Sequence, residues 1–391
     1  MIDRPLRIDQ ILPSFAGRDA IGTHVLLLRD NLRRRGFLSD IFAGNVGIEA
    51  GLREAGAIAH NEARAFSEYL LLNEPRSISI YHYSVGSEIA AALAAVDSFH
   101  VVSYHNITPH WYFDRVEETE AWVACQRGVQ QASFLRDFVD CAWTVSAYNA
   151  QDLANMGIGP VFEFPIFRDY GELMRQELDV ACEARVKLKY PNFLFVGRLS
   201  PNKAHHDLII ALKHYQTLFD RQARLFLVGS GSGFRVRRLR ELADRLDLRW
   251  AELEDHSWMD ADIVHVGSVT DSILATFYRS CDLFLGLSDH EGFGVPWVEA
   301  MAFGLPIVTH SCTAVAEVCA DGAIRVDKRD VPQLISAMNA VIGDSKCRKS
   351  VIDAGKRHYG RYCLAAVQQQ FEGVLEKTLS LYTKKIKAKS S

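Results

Sequence analysis

The chain has 391 residues, 48% hydrophobic and 24% charged, with 44 Lys and Arg against 48 Asp and Glu for a formal net charge of −4. At roughly one domain per 150 residues this length makes two or three domains, each able to bury a core, and such ordinary globular usage excludes intrinsic disorder. The near-neutral balance excludes a dedicated nucleic-acid binder, and no apolar run approaches the roughly 18 residues that span a bilayer.

Taken in chain order, apolar runs of about five residues alternate with longer amphipathic stretches, the signature of βαβ units on a parallel sheet. The first half reads as strands at 6–13, 38–43, 78–83, 100–105 and 141–146, with helices such as 21–36 and 87–96 between them. Residues 165–190 are charged and read as a connector. The rhythm then restarts, with strands at 192–197, 223–229, 263–267, 281–287 and 306–310 and helices at 207–219, 235–247 and 272–280. Residues 361–382 are again helical, and the terminal KKIKAKSS reads as frayed and solvated.

The fold class is therefore α/β, with two Rossmann-like domains facing a central cleft. The boundaries are 1–168, a connector at 169–190, 191–360, and a C-terminal helix with a basic tail at 361–391. Ligands of open α/β sheets bind beyond the carboxyl ends of the strands, so motifs just after strands carry the most weight. The start MIDRPLRIDQ lacks the order of a signal peptide. The eight cysteines, Cys125, Cys141, Cys182, Cys281, Cys312, Cys319, Cys347 and Cys363, form no C-x2-C pair and are expected to be structural thiols in a reducing cytoplasm. The glycosylation pattern at Asn106-Ile107-Thr108 is accordingly set aside.

Two motifs carry chemistry. In FVGRLSPNK (195–203) a strand ends at Gly197, Arg198 follows at once, and Lys203 lies near a helix start signalled by Ser200 and Pro201. Two cations at a helix N-terminus suit a diphosphate that leaves with developing negative charge; a plain pair of surface cations is the alternative. In DHEGFGVPWVEAMAFGLPIV (289–308), Glu291 follows the strand at 281–287 in a loop softened by Gly292 and Gly294. Pro296 fits the first turn of a helix that carries Glu299 and ends at Gly304. Eight residues apart, the two carboxylates do not form a tight dyad, and each is expected to grip a different hydroxyl, one on a sugar and one on a ribose. The alternative is a helix N-terminal acid and a solvated loop acid.

GR-x4-K followed by E-x7-E in the form HEGFGVPWVEAMAFGLPIV closely resembles the retaining glycosyltransferases of family 4, which have the GT-B fold. The likeness is dense over 192–327 and weaker in the first half. It implies that Arg198 and Lys203 contact the diphosphate of a nucleotide sugar, with Gly197 at the strand end. Glu299 would hold ribose hydroxyls, Glu291, Gly292, Phe293 and Gly294 the donor sugar, and the backbone around Val269 the base. In the first half it implies a phosphate loop in FAGRDAIGTH with Gly22 as the matching glycine, although Asp19-Ala20-Ile21-Gly22 replaces the commoner double-glycine form. His105 would touch the donor sugar or leaving group, with Thr23, His24 and Asn106 as further candidates, and Trp111, Tyr112 and Phe113 would line an acceptor groove.

The implied activity is transfer of a hexose, with retention and without a required metal, from a UDP- or GDP-sugar to a hydroxyl of a glycan or lipid-linked saccharide, as in polysaccharide or lipopolysaccharide biosynthesis. A sugar-nucleotide epimerase of the same architecture and a non-catalytic sugar-nucleotide-binding protein are the alternatives. The resemblance also implies that the C-terminal helix packs back on the N-terminal domain. The basic clusters Arg33 to Arg35, Arg235 to Arg240 and Lys384 to Lys389 read as solvated faces or as peripheral contacts to the inner face of a membrane. Asp260-Ala261-Asp262 mimics a D-x-D metal motif but precedes its strand and reads as a solvated loop. GSGSG (229–233) lacks the spacing of a dinucleotide loop, and His205-His206 lacks the further ligands of a metal site.

Overall fold

A computed structural model describes residues 5–16, 19–46, 62–72, 77–187, 190–255 and 258–390. The chain divides into two compact units, one of Met1–Arg168 with Leu364–Ser391 and one of Asp169–Cys363.

In the first unit, β1 (Ile8–Phe15), β2 (Ile41–Val46), β3 (Arg64–Ala65), β4 (Ile78–Tyr83), β5 (Phe99–Tyr104), β6 (Cys141–Thr144) and β7 (Val161–Glu163) form one sheet in the order β3-β2-β1-β4-β5-β6-β7. All neighbours are parallel. The order reverses between β1 and β4, which makes the switch point at which such sheets bind ligands. β4 and β5 are buried along their whole length, as central parallel strands must be. Their side chains alternate between two cores. Tyr81, Tyr83, Val102 and Tyr104 pack with Leu135 and Leu153 on one face. Ile78, Ile80 and Val101 pack on the other with Leu28 and Leu32 of the helix Ala20–Arg34 and with Phe371 and Val374 of the helix Leu364–Ser390.

The C-terminal helix thus closes one face of the first sheet, and Trp143 Nε1 donates to its Thr378 Oγ1 at 3.0 Å. The expectation of a frayed tail is corrected, because the helix runs to Ser390. Lys385 meets Asp140 at 2.7 Å and Lys389 meets Asp97 at 2.6 Å, so two of the tail cations have acidic partners that fix the last turns.

In the second unit, β8 (Asn192–Val196), β9 (Arg224–Val228), β10 (Trp250–Glu252), β11 (Ile263–Gly267), β12 (Leu283–Gly286), β13 (Ile307–His310) and β14 (Ile324–Val326) form a parallel sheet in the order β10-β11-β9-β8-β12-β13-β14. The short strands β3, β7, β10 and β14 escape a pattern reading because each has three residues or fewer and is partly exposed, leaving no apolar run. The charged connector carries two short helices, Tyr170–Met174 and Val180–Val186. Asp169 and Asp179 cap them, accepting from Glu172 N–H at 3.1 Å and Cys182 N–H at 2.8 Å.

Candidate active site

β8 delivers the first motif. Gly197 ends the strand with φ +156° and Arg198 projects into solvent, making no side-chain hydrogen bond among the described residues. The loop holding Arg198 rests on GSGSG: Leu199 N–H donates to Ser230 O at 2.8 Å. A Cβ at Gly229, whose φ is +140°, would lie 2.3 Å from Gly197 O, so this approach requires glycine. GSGSG is therefore a buttress under the Arg198 loop.

The turn Pro201–Lys203 is a 3₁₀ helix, and the α-helix expected there begins only at His205, so its N-terminus is not at Ser200. Asn202 fastens this turn to the second motif: its Nδ2 donates to His290 O at 2.9 Å and its carbonyl accepts from Asp289 N–H at 2.8 Å. Lys203 Nζ consequently donates to Glu291 Oε2 at 2.6 Å. Glu291 is only 6% exposed, and its other oxygen, Oε1, is buried without a partner. Thr313 clamps the Glu291 backbone, its hydroxyl accepting from Glu291 N–H at 2.9 Å and donating to Glu291 O at 2.8 Å. A second lysine, Lys328, lies 2.5 Å from Asp207 and 2.7 Å from Asp289. Burial, reinforced by the Lys203 charge, pushes His290 down to about 4.

The second carboxylate sits on the helix Val295–Phe303, which starts after Gly294 at φ +96°. Glu299 is 2% exposed and accepts from Tyr278 Oη at 2.6 Å. The two glutamates thus have separate partners and form no dyad with each other. The ring of Phe293 is buried against Tyr362, 5.6 Å between centroids, so of this residue only the backbone is left to meet a ligand. Val269 is half-buried in the turn after β11, and Gly267 in that turn accepts from Gly229 N–H at 2.9 Å. His265 bridges the same loops, 2.5 Å from Glu252 and 3.1 Å from Gly229 O.

Asp262 is not a solvated acid: it is 8% exposed and bound by Arg249 at 3.0 Å, a structural role that leaves no D-x-D pair, since Asp260 is exposed. His205 is buried and its pKa falls to about 3, chiefly by burial, while His206 lies 3.2 Å from Asp207.

In the first unit the glycine expectation is corrected. Gly22 lies inside the first turn of its helix, its N–H donating to Asp19 Oδ1 at 2.5 Å, and a Cβ there would lie 2.0 Å from Ala16 O. It is a close-packing glycine whose amide is already used, not a phosphate donor. Gly17 and Arg18 of the same loop lie outside the described residues. Thr23 is half-buried in that helix. Asn106, at φ +71°, is buried and donates to Asn149 Oδ1 at 2.8 Å, a structural bond that also hides it from glycosylation. Trp111 is 71% exposed, with Tyr112 and Phe113 half-buried beside it.

His105 belongs to a cluster that the sequence pattern does not announce. His82 Nδ1 lies 2.9 Å from His105 Nε2, and His82 Nε2 lies 3.0 Å from Gln10 Oε1. One nitrogen each from His24, His82 and His105 lie within 4.8 Å of one another, the one such grouping among the described residues that a metal ion could occupy. It does not fit a metal. His24 Nδ1 accepts from Phe167 N–H at 2.9 Å, so in the neutral ring Nε2 carries the proton and has no lone pair to offer. Burial lowers the pKa of all three, His105 to about 4.

Among the basic clusters, Arg33 pairs with Asp40 at 2.7 Å, Arg35 with Glu372 at 2.5 Å and Arg240 with Glu252 at 2.8 Å. No helix of the described residues is long and apolar enough to cross a membrane.

Residues 183–358 match the family model described as glycosyl transferases group 1. The O-antigen chain mannosyltransferase B of Escherichia coli is 29% identical over 157 residues, 40% of this chain and 38% of that protein. The phosphatidyl-myo-inositol mannosyltransferase of Mycobacterium leprae is 29% identical over 187 residues, 47% of this chain and 46% of that protein. The chain thus spans less than half the length of each. Among solved structures, sucrose-phosphate synthase from Thermosynechococcus elongatus superposes with a TM-score of 0.71 at 17% identity, covering 96% of this chain and 99% of that one. Anabaena HepE in complex with UDP superposes with a TM-score of 0.69 at 16% identity, covering 95% and 100%. These likenesses establish the fold.

Proposed function

We propose that this chain, of which residues 183–358 match the glycosyl transferases group 1 model, moves a hexose from a UDP- or GDP-linked donor to a hydroxyl of a glycan or lipid-linked saccharide, with retention at the anomeric carbon. The observation that carries the reading is the Lys203–Glu291 pair, fixed by Asn202 and Thr313 with Glu291 Oε1 left unpartnered, on the same loops as exposed Arg198. A buried carboxylate oxygen without a donor needs one from a ligand, and a sugar hydroxyl supplies it.

In this reading Arg198 and Lys203 stabilise the departing diphosphate as the anomeric C–O bond breaks. The acceptor oxygen enters on the same face, and its proton passes to the leaving phosphate. Glu299 receives the ribose hydroxyls, the backbone near Val269 meets the base, and His105 keeps the sugar contact that the resemblance implies. Catalysis is then positioning and charge stabilisation, without a protein nucleophile and without a required metal. The mannosyltransferase names of relatives support a hexose, and the UDP bound to HepE supports a nucleoside diphosphate donor. A reducing cytoplasm suits the unpaired thiols from Cys125 to Cys363.

The test is incubation with a panel of UDP- and GDP-sugars. Slow release of nucleoside diphosphate that survives EDTA is expected. Formation of a 2-epimer without acceptor, or no thermal shift with any donor, overturns the reading.

A further inference from the structure

We propose that Gln10 and His82 are positioning residues that hold His105 in one neutral tautomer, with the proton on Nε2 and the Nδ1 lone pair presented as an acceptor. A backbone carbonyl can only accept. Gln10 Nε2 donates to Val25 O at 2.9 Å, and this fixes the amide so that Oε1 faces His82 Nε2 at 3.0 Å. An amide oxygen also only accepts, so His82 Nε2 carries a proton. The neutral ring then offers a lone pair at Nδ1, 2.9 Å from His105 Nε2, which must be the donor. His105 Nδ1 is left as a lone pair, buried and without a partner.

The ring of His24 stands edge-on to His105, with centroids 5.4 Å apart, and has the opposite polarity. Its Nδ1 is occupied by Phe167 N–H, and its Nε2–H is buried without an acceptor. Two backbone groups, Val25 O and Phe167 N–H, therefore set the protons of three rings. The result is one bare acceptor and one bare donor. A hydroxyl group can donate to the one or accept from the other, whereas a carboxylate can only accept. Among the described residues no charged side chain hydrogen-bonds the trio; Phe164 and Phe167 flank His24. Burial holds His105 down to about 4, so the tautomer persists at neutral pH.

The inference leans on the proposed transfer only for its effect on turnover, and the decisive measurement does not. The full chain labelled with ¹⁵N-histidine is examined at pH 7, with resonances assigned through single His→Gln variants. His82 and His105 are expected as Nε2–H tautomers with pyridine-like Nδ1. Finding His105 protonated at Nδ1, or as imidazolium, overturns the proposal, and this wild-type result decides alone should a variant fail to fold. Gln10→Leu removes the acceptor at similar volume; His105 should then become a mixture of tautomers, with donor turnover falling about tenfold and the KM for donor nearly unchanged. An unchanged His105 spectrum in Gln10→Leu also overturns it. Absence of turnover in the wild type counts against the transfer reaction and leaves the tautomer result standing.

Discussion

Lys203 and Glu291 lie 2.6 Å apart with side chains 20% and 7% exposed, so each charge depends on the other for compensation. Lys203→Met leaves the Glu291 carboxylate buried and unpaired, and unfolding in urea should show a loss of about 3 kcal/mol. Glu291→Gln alone strands the ammonium, with a smaller loss because the lysine is more exposed. The double variant should recover most of the stability and none of the donor turnover; purely additive losses would show that the pair does not couple. Arg198, Lys203, Glu291 and Glu299 were legible in sequence because each follows an apolar strand or sits at a fixed offset from glycine and proline. Their supports were not. Asn202 reaches His290 across 88 positions and Tyr278 reaches Glu299 across 21, and no local pattern encodes such pairings. Gly22 misled for a local reason: the Asp19 side chain caps the helix and takes the amide that a phosphate would need.

At the scale of elements, the long strands and helices were readable because burial on two faces imposes continuous apolar runs. The connector and the tail were not, because short capped helices and ion-paired lysines keep a polar composition. The tail gives a contrast that can be measured. Lys385 to Asp140 and Lys389 to Asp97 are surface or half-exposed pairs, so deleting 384–391 should cost no more than about 1 kcal/mol. Phe371 is fully buried and packs on Trp143, Phe164 and Phe167, so Phe371→Ala should cost about 3–5 kcal/mol. Equal losses by thermal unfolding would mean that the helix is held by its end and not by its apolar face. A similar test applies beneath the Glu299 helix. A Cβ at Gly286 would lie 2.4 Å from Trp297 Cζ2, so Gly286→Ala should displace that indole, cost about 1–3 kcal/mol and quench or shift its fluorescence. An unchanged Tm and emission would show that the helix shifts freely over β12.

For the whole molecule, buried histidine sets the response to acid in both units. His105 titrates at about 4, His205 at about 3 and His290 at about 4, each pushed down chiefly by burial. In the unfolded chain a histidine titrates near about 6.5. Between these values the unfolded state binds more protons, so stability is full above about pH 6.5 and is lost as the pH falls toward 4. Asp9 works in the opposite sense: burial raises it from 3.8 to about 6, so the folded state takes up its proton first and gains stability over that window. Each such histidine contributes a slope of at most about 1.4 kcal/mol per pH unit between about pH 6 and 5, and Asp9 offsets one of them. His24 and His82 add to it in the same direction. Thermal unfolding should therefore give a level Tm from pH 8 to 7 and a steep fall below pH 6, and His290→Gln should flatten part of that fall in the unit that carries the Lys203–Glu291 pair. A Tm that stays level to pH 4.5 would mean that these rings reach water or a carboxylate in solution, which the packing around His24, His82 and His105 does not provide.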